Sequence, residues 1–335
     1  MATLADVAKE AGVSVMSASN VMRGKPSVSP GIRERVLAAA ARLDYRVNAA
    51  AQSLRSGRSG VIALCVPRLD MPFNAAFAAA ATSTAEERGL RVMVQQTLSD
   101  PRREIEILRG ATASLVDGTI VSAVGATAQE VEQAAGSHAV VLYDERIRDT
   151  PLDLISSPNE SGGRAAVEHL IAKGCRHVVV LGTHGPRRDL PGPDGPDLRW
   201  TGALQAAQGS PQVRLTPVPC LWDCEPAYAA MLSTLAVGTP VDGVFALTDS
   251  MALGALRALS DLGLRCPEDV RVIGFDGIRE GAMSTPSLST IDIDITQLAR
   301  TSVEMLLTRI DSPVTELPGR RFTSAYTLIE RESSR

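Results

Sequence analysis

From Val61 onward, short apolar runs alternate with stretches of helical pattern, and this alternation leaves few possible architectures. The runs are 61–66 (VIALCV), 91–96, 118–123, 139–144, 177–182, 243–249 and 270–276. Helical stretches such as AFAAAATSTAEERG and SGGRAAVEHLIAKG lie between them. Strand and helix in strict succession predict parallel sheets with helices on both faces. The units are too many for one compact sheet, so two lobes are expected. Aromatic residues are only 3% of the chain against 44% hydrophobic, so Ala, Val, Leu and Ile must fill the core, as in helices packed on parallel strands.

The first sixty residues follow a different pattern. Thr3 and Asp6 have capping-box spacing, and Leu4, Val7, Ala8 and Ala11 mark one apolar helix face. Gly12 permits a tight turn, Ser14 caps a second helix reaching about Met22, and Ser29-Pro30 opens a third. That third helix carries Ile32, Val36, Leu37, Ala40 and Leu43 at helical spacing. Two short helices across a glycine turn form a helix-turn-helix pattern. The outward side of the second should carry Val15, Met16, Ser17 and Asn20, residue types that a small bundle does not need there. Asn can bond two edge atoms of adenine, and Val or Met can meet a thymine methyl.

Charge separates the two regions. Residues 1–60 hold nine Lys/Arg and four Asp/Glu, while the whole chain is −4, leaving −9 on the remainder. A basic head on an acidic body suits a polyanion partner for the head, although a solvated charged face would also account for it. The five cysteines (Cys65, Cys175, Cys220, Cys224, Cys266) are an odd number, which argues against a disulfide framework. Cys220 and Cys224 have no second ligand pair after them, so no metal is expected. There is no basic-then-apolar leader and no run of eighteen apolar residues, so a cytoplasmic protein with no membrane partner is expected. The four histidines show no nucleophile-base pattern, and neither G-x-G-x-x-G after the first strand nor a P-loop occurs. The expectation is a protein that is not an enzyme and holds no cofactor.

TLADVAKEAGVS, the second helix, and VS-P-IRERVLAAAARLDY-x-x-N are similar to the head of the lactose-repressor/galactose-repressor family, and the resemblance runs through the whole chain. It implies a repressor that binds operator DNA as a homodimer, with a body like the periplasmic sugar-binding proteins. It places Val15, Met16 and Asn20 at the base-reading positions. It places Thr3, Ser14, Ser17, Ser19, Ser29, Tyr45 and Asn48 near phosphates, a role that Ser14 and Ser29 can combine with capping. It implies a hinge helix in AAAQSLRSG, with Ala51, Leu54 and Arg55 at the minor groove and Leu54 as an apolar wedge; ordinary helix packing is the alternative for Leu54. Asn20 stands where many members have Arg, Ala18 where many have Val, and Val47 where the hinge is usually preceded by Pro. The implied domains are a head at 1–47, a hinge and linker at 48–59, and an effector domain at 60–335. Its N-lobe is about 60–160 with 292–320, and its C-lobe about 161–291 with 321–333. Crossovers are expected near 158–162, 290–294 and 318–323.

Ligands in such sheets sit at the carboxyl ends of strands. Asp144, Asp249 and Asp276 each close a strand, Arg199 follows the fifth, and Trp222 precedes a later helix. By resemblance, Arg199 in RWTGA and Asp249 in TDSMALG could bond sugar hydroxyls, Trp222 could stack on a sugar face, and Met71 and Phe73 would line the other lobe. Simpler roles remain open: a helix cap for Asp249, a turn for Asp276-Gly277, a pair with Asp197 for Arg199, and core for Trp222. The effector is expected to be a small polar molecule of carbohydrate type. The Pro/Gly-rich stretch 185–197 could act as a lid.

Overall fold

The computed structural model describes residues 2–22, 28–45, 58–110, 114–143, 147, 150–183, 197–312 and 318–335. The chain divides into two compact units, Met1–Ser59 and Gly60–Arg335.

The first unit contains α1 (Leu4–Ala11), α2 (Val15–Met22) and α3 (Pro30–Arg42). Thr3 caps α1 reciprocally with Asp6, whose carboxylate accepts from the Thr3 amide at 2.9 Å. Gly12 ends α1 in the left-handed region at φ +63°, where a Cβ would be strained. The three helices bury Val7, Ala8, Ala11, Ala18, Val21, Val36, Ala39 and Ala40 together. Leu37 differs from expectation: it is 50% exposed, and Ala39 takes the inward place. The inward stripe runs through 36, 39 and 40, and 37 lies a quarter-turn off it.

The second unit begins with β1 (Val61–Val66), α4 (Pro72–Glu87), β2 (Arg91–Gln96), α5 (Pro101–Arg109), β3 (Gly118–Val121), α6 (Ala128–Ala135), β4 (Val140–Tyr143) and β5 (Asp153–Ser156). It continues with α7 (Asn159–Ala172), β6 (His177–Thr183), α8 (Leu198–Gln208), β7 (Arg214–Pro219), α9 (Cys224–Ala236), β8 (Gly243–Ala246), α10 (Asp249–Asp261) and β9 (Arg271–Asp276). It closes with α11 (Arg279–Met283), β10 (Ser289–Asp292), α12 (Ile295–Asp311), β11 (Arg321–Thr323) and β12 (Thr327–Ile329).

Two six-stranded sheets result, ordered β11-β5-β4-β3-β1-β2 and β12-β10-β9-β8-β6-β7. The first is parallel throughout; in the second only β12 runs antiparallel, against β10. The chain passes between lobes three times, at 157–158, 293–294 and 324–326, because α12 returns to pack on α4 and β3 of the first lobe. The third crossing falls just beyond the expected 318–323.

The central strands are the apolar runs read from sequence. Strands β5, β7, β10, β11 and β12 lack such runs. In β7, Pro217 and Pro219 are tolerated because the strand lies at a sheet edge. In the first sheet, next to its edge strand β11, Asp153 on β5 is fully buried between two guanidinium groups: Arg309 donates to it at 2.6 Å and Arg320 at 2.6 Å. Arg309 lies on α12 and Arg320 next to β11, so this triad fastens the returning chain to the lobe it left.

Candidate functional site

In the head, α2 carries an outward face that no internal packing explains. Met16 is 75% exposed and Val15 47%, while Ala18, Ser19 and Val21 turn inward. Asn20 is half-buried beside them. Ser14 Oγ accepts from the Ser17 amide at 3.1 Å and pairs with Ser17 Oγ at 2.9 Å. Ser29 is exposed at the start of α3 and makes no side-chain cap bond, so its expected capping role is not filled. Tyr45 is half-buried against the core of the head. Ser19 departs from expectation: it is only 8% exposed, turned toward the core and not presented as a phosphate ligand would be. Asn48, Ala51, Leu54 and Arg55 lie outside the described residues, as does Asp144 in the body.

In the body, polar and aromatic residues collect at the carboxyl ends of the strands. Arg199, at the start of α8, is 3% exposed. Its Nε donates to Asn159 Oδ1 at 2.8 Å, and its Nη1 donates to the Leu247 carbonyl and to Asp276 Oδ1 at 3.3 Å. Its guanidinium lies 3.8 Å from the Phe275 ring centroid and 5.1 Å from that of Trp222. Delocalised charge tolerates aromatic faces that would exclude a compact ammonium. Trp222 is fixed by donation from Nε1 to the Gly182 carbonyl at 2.8 Å. Asp276 closes β9 at φ +121°, an unusual conformation for a side-chain-bearing residue, and such outliers gather at ligand sites. Asp197, the alternative partner for Arg199, instead caps α8 through the Trp200 amide.

Asp249 requires a correction. It is fully buried, and both of its oxygens are engaged within the fold. Oδ2 accepts from the amides of Gly277 at 2.8 Å and Ile278 at 2.9 Å, while Oδ1 accepts from Thr290 Oγ1 at 2.7 Å. It is neither the helix cap, which is Thr248, nor open to a bound molecule. It holds the turn after Asp276. Burial pushes its carboxyl up to about 7, against the donors of Thr290, Ile278 and Gly277.

The other lobe contributes aromatic rings. Phe73, in the first turn of α4, stacks with Tyr143 at 5.7 Å and Phe77 at 6.2 Å. The Tyr143 hydroxyl pairs with Ser157 Oγ at 2.9 Å, and Met71 precedes α4 half-buried. Asn159, Phe275, Leu247, Tyr143 and Thr183, the last buried at the end of β6, were not anticipated. Nothing local marks them, since their roles arise only when strand ends from distant parts of the chain converge. A separate cavity of about 500 Å³ is lined by Leu154, Ser156, Arg164, Gln205, Arg321 and Thr323 near the crossovers. It shares only Asn159 with the Arg199 network and includes neither Phe73 nor Trp222.

A helix-turn-helix head with an unsupported apolar face, joined to a two-lobed α/β body with polar groups at its strand ends, defines a DNA-binding regulator that senses a small molecule. Residues 3–48 match the family model for bacterial regulatory proteins of the lacI family, and 167–334 match that for a periplasmic binding protein-like domain. The chain is 31% identical to a ribose operon repressor of Halalkalibacterium halodurans over 335 residues, covering 100% of this chain and 98% of that one. It is 30% identical to the lactose operon repressor of Escherichia coli K12, covering 91% and 84% respectively. Its fold matches the lac repressor dimer bound to operator and the anti-inducer ONPF with a TM-score of 0.83 at 27% identity, over 99% of both chains. This chain therefore belongs to the LacI family. It is a transcriptional regulator and not an enzyme. Among the described residues, no helix is long and apolar enough to cross a membrane.

Proposed function

We propose that this chain is a cytoplasmic repressor, working as a homodimer, that releases or holds operator DNA according to a carbohydrate bound between its lobes. One observation carries the DNA half: Met16 and Val15 stand exposed on the second helix of a head with five surplus positive charges. These two residues and Asn20 are the base readers. Thr3, Ser14, Ser17, Ser29, Tyr45 and Asn48 position the backbone, while Ala51, Leu54 and Arg55 act at the minor groove. The head spans 1–47, the hinge and linker 48–59, and the effector domain 60–335.

In the effector half, Arg199, Asp276, Trp222, Phe73 and Met71 line the cleft, Asp144 is assigned to effector binding from its sequence position, and Asp249 positions the turn after Asp276. Two observations favour a neutral polyol. The Arg199 charge is already matched by Asp276, and Asn159 Nδ2 and Thr183 Oγ1 are buried without partners. Among similar proteins, one solved structure is a CelR–cellobiose complex at 25% identity and TM-score 0.69.

The test is selection of bound duplexes from a random pool. A single symmetric sequence should emerge, bound at least tenfold more weakly at about 200 mM salt than at about 50 mM because phosphate contacts release counterions. Met16→Ala and Asn20→Ala should each cost about 5- to 100-fold against that sequence and relax it at particular positions. A pool that stays random would overturn the reading.

A further inference from the structure

Arg68 follows β1 in the first lobe, and Asp223 precedes α9 in the second. Arg68 Nη1 donates to Asp223 Oδ2 at 2.8 Å, so one guanidinium joins the two lobes directly. Both ends are prepared for this contact. Arg68 Nε and Nη2 are held by Asp70 at 2.9 and 2.7 Å, which fixes the plane of the fork and leaves Nη1 to reach across. The loop itself is tied down, because Asn74 Nδ2 donates to the Arg68 carbonyl at 2.8 Å and the Leu69 amide to Gln96 Oε1 at 2.9 Å. On the opposite side, Asp223 Oδ1 accepts from the Cys224 amide at 2.7 Å as the cap of α9, which leaves Oδ2 for Arg68. The adjacent residue is Trp222, whose indole is bonded to Gly182 and lies over Arg199.

We propose that Arg68 and Asp223 form an electrostatic latch between the lobes, set beside Trp222, that controls how readily the cleft opens and hence how fast an effector enters and leaves. This rests on reading the space between the lobes as the effector cleft. Each partner sits firmly on its own lobe, so breaking the pair alters the contact between lobes and leaves each lobe intact. The side chains are 43% and 30% exposed, so the attraction is screened by salt and holds the cleft only loosely. Such a latch can release on a modest signal. Lys at position 68 would hold Asp70 or Asp223 but not both, because it lacks the planar fork. Asp70 is a positioning residue for the latch.

The experiment needs no effector. The sequence contains two tryptophans, Trp200 and Trp222, so Trp200→Phe leaves Trp222 as the only indole reporter in the full-length protein. Acrylamide, which is uncharged, then measures its accessibility. In this background, Arg68→Ala and Asp223→Asn should each raise the quenching constant about twofold, a change within what an exposed pair supplies. Asn retains the helix cap, so the second variant separates loss of the latch from loss of α9. About 1 M NaCl, where the screening length is about 3 Å, should raise quenching in the parent and add nothing in either variant. The double variant should match the single ones. Unchanged quenching in both single variants, or a parent indifferent to salt, overturns the latch. Either result leaves the cleft itself standing, since that is tested separately through Arg199.

Discussion

Arg199→Ala should abolish the response to effector while leaving operator binding in its absence within about threefold of the parent, because the contacts of Arg199 lie within the second unit and the head is a compact unit of its own. The Arg199 guanidinium is buried among Asn159, the Leu247 carbonyl, Asp276, Phe275 and Trp222. These groups come from four separate segments of the second lobe, Phe275 and Asp276 being neighbours on β9, so one side chain ties together several strand ends. Removing one partner of a buried ion pair costs about 3 kcal/mol or more. For a body of this size that lowers the melting temperature by about 6–10 °C. The measurement is fluorescence titration with a panel of neutral sugars beside operator binding by electrophoretic shift. A normal effector response in the variant would place the binding site elsewhere. Arg199→Lys is the informative companion, because it keeps the charge but cannot reproduce the fork or lie flat between two rings.

Asp153→Ala should produce the largest loss of stability in the first lobe, about 3–5 kcal/mol, since it leaves Arg309 and Arg320 facing one another without their carboxylate. Asp153→Asn keeps the shape and should cost less. Burial raises the Asp153 carboxyl, but hydrogen bonds from Arg320 and Arg309 outweigh that and hold it below its ordinary 3.8. A depressed folded value means that the stabilisation is complete above about 3.8 and disappears as pH falls through the lower folded value. Urea melts of parent and Asp153→Asn should therefore differ at neutral pH, begin to approach one another below about 3.8, and converge once the pH is below the lowered folded value. A gap that persists there would show that the charge is not what the two arginines require.

The elements readable from the sequence were those whose signal is local. Thr3 and Asp6 state a capping box, Gly12 a left-handed turn, and runs such as VIALCV a strand buried on both faces. The short strands toward the crossover side of each sheet were not readable. The segments DLIS, STID and RFT are short and partly polar, and what makes them strands is the ladder to a neighbouring strand from a distant part of the chain. Leu37 fell on the wrong side because 36, 37 and 40 fit one stripe almost as well as 36, 39 and 40. Arg199, Trp222 and Asp276 were accessible through motif and position. The work of Asp249 was not, because its partners Gly277, Ile278 and Thr290 lie 28 to 41 residues away and meet it only in the folded sheet. Ser19 looked like its neighbour Ser17 in sequence, and only helix phase distinguishes them.

The three passages of the chain between lobes have a mechanical consequence. The first lobe is not complete until α12 and β11 return to it, by which time nearly all of the second lobe has been synthesised. Neither half can be cut out as a continuous fragment, and neither can melt without pulling on strands that the other half holds. The body is in this sense a single folding unit, whose two lobes stand or unfold together because each is completed by chain that has passed through the other.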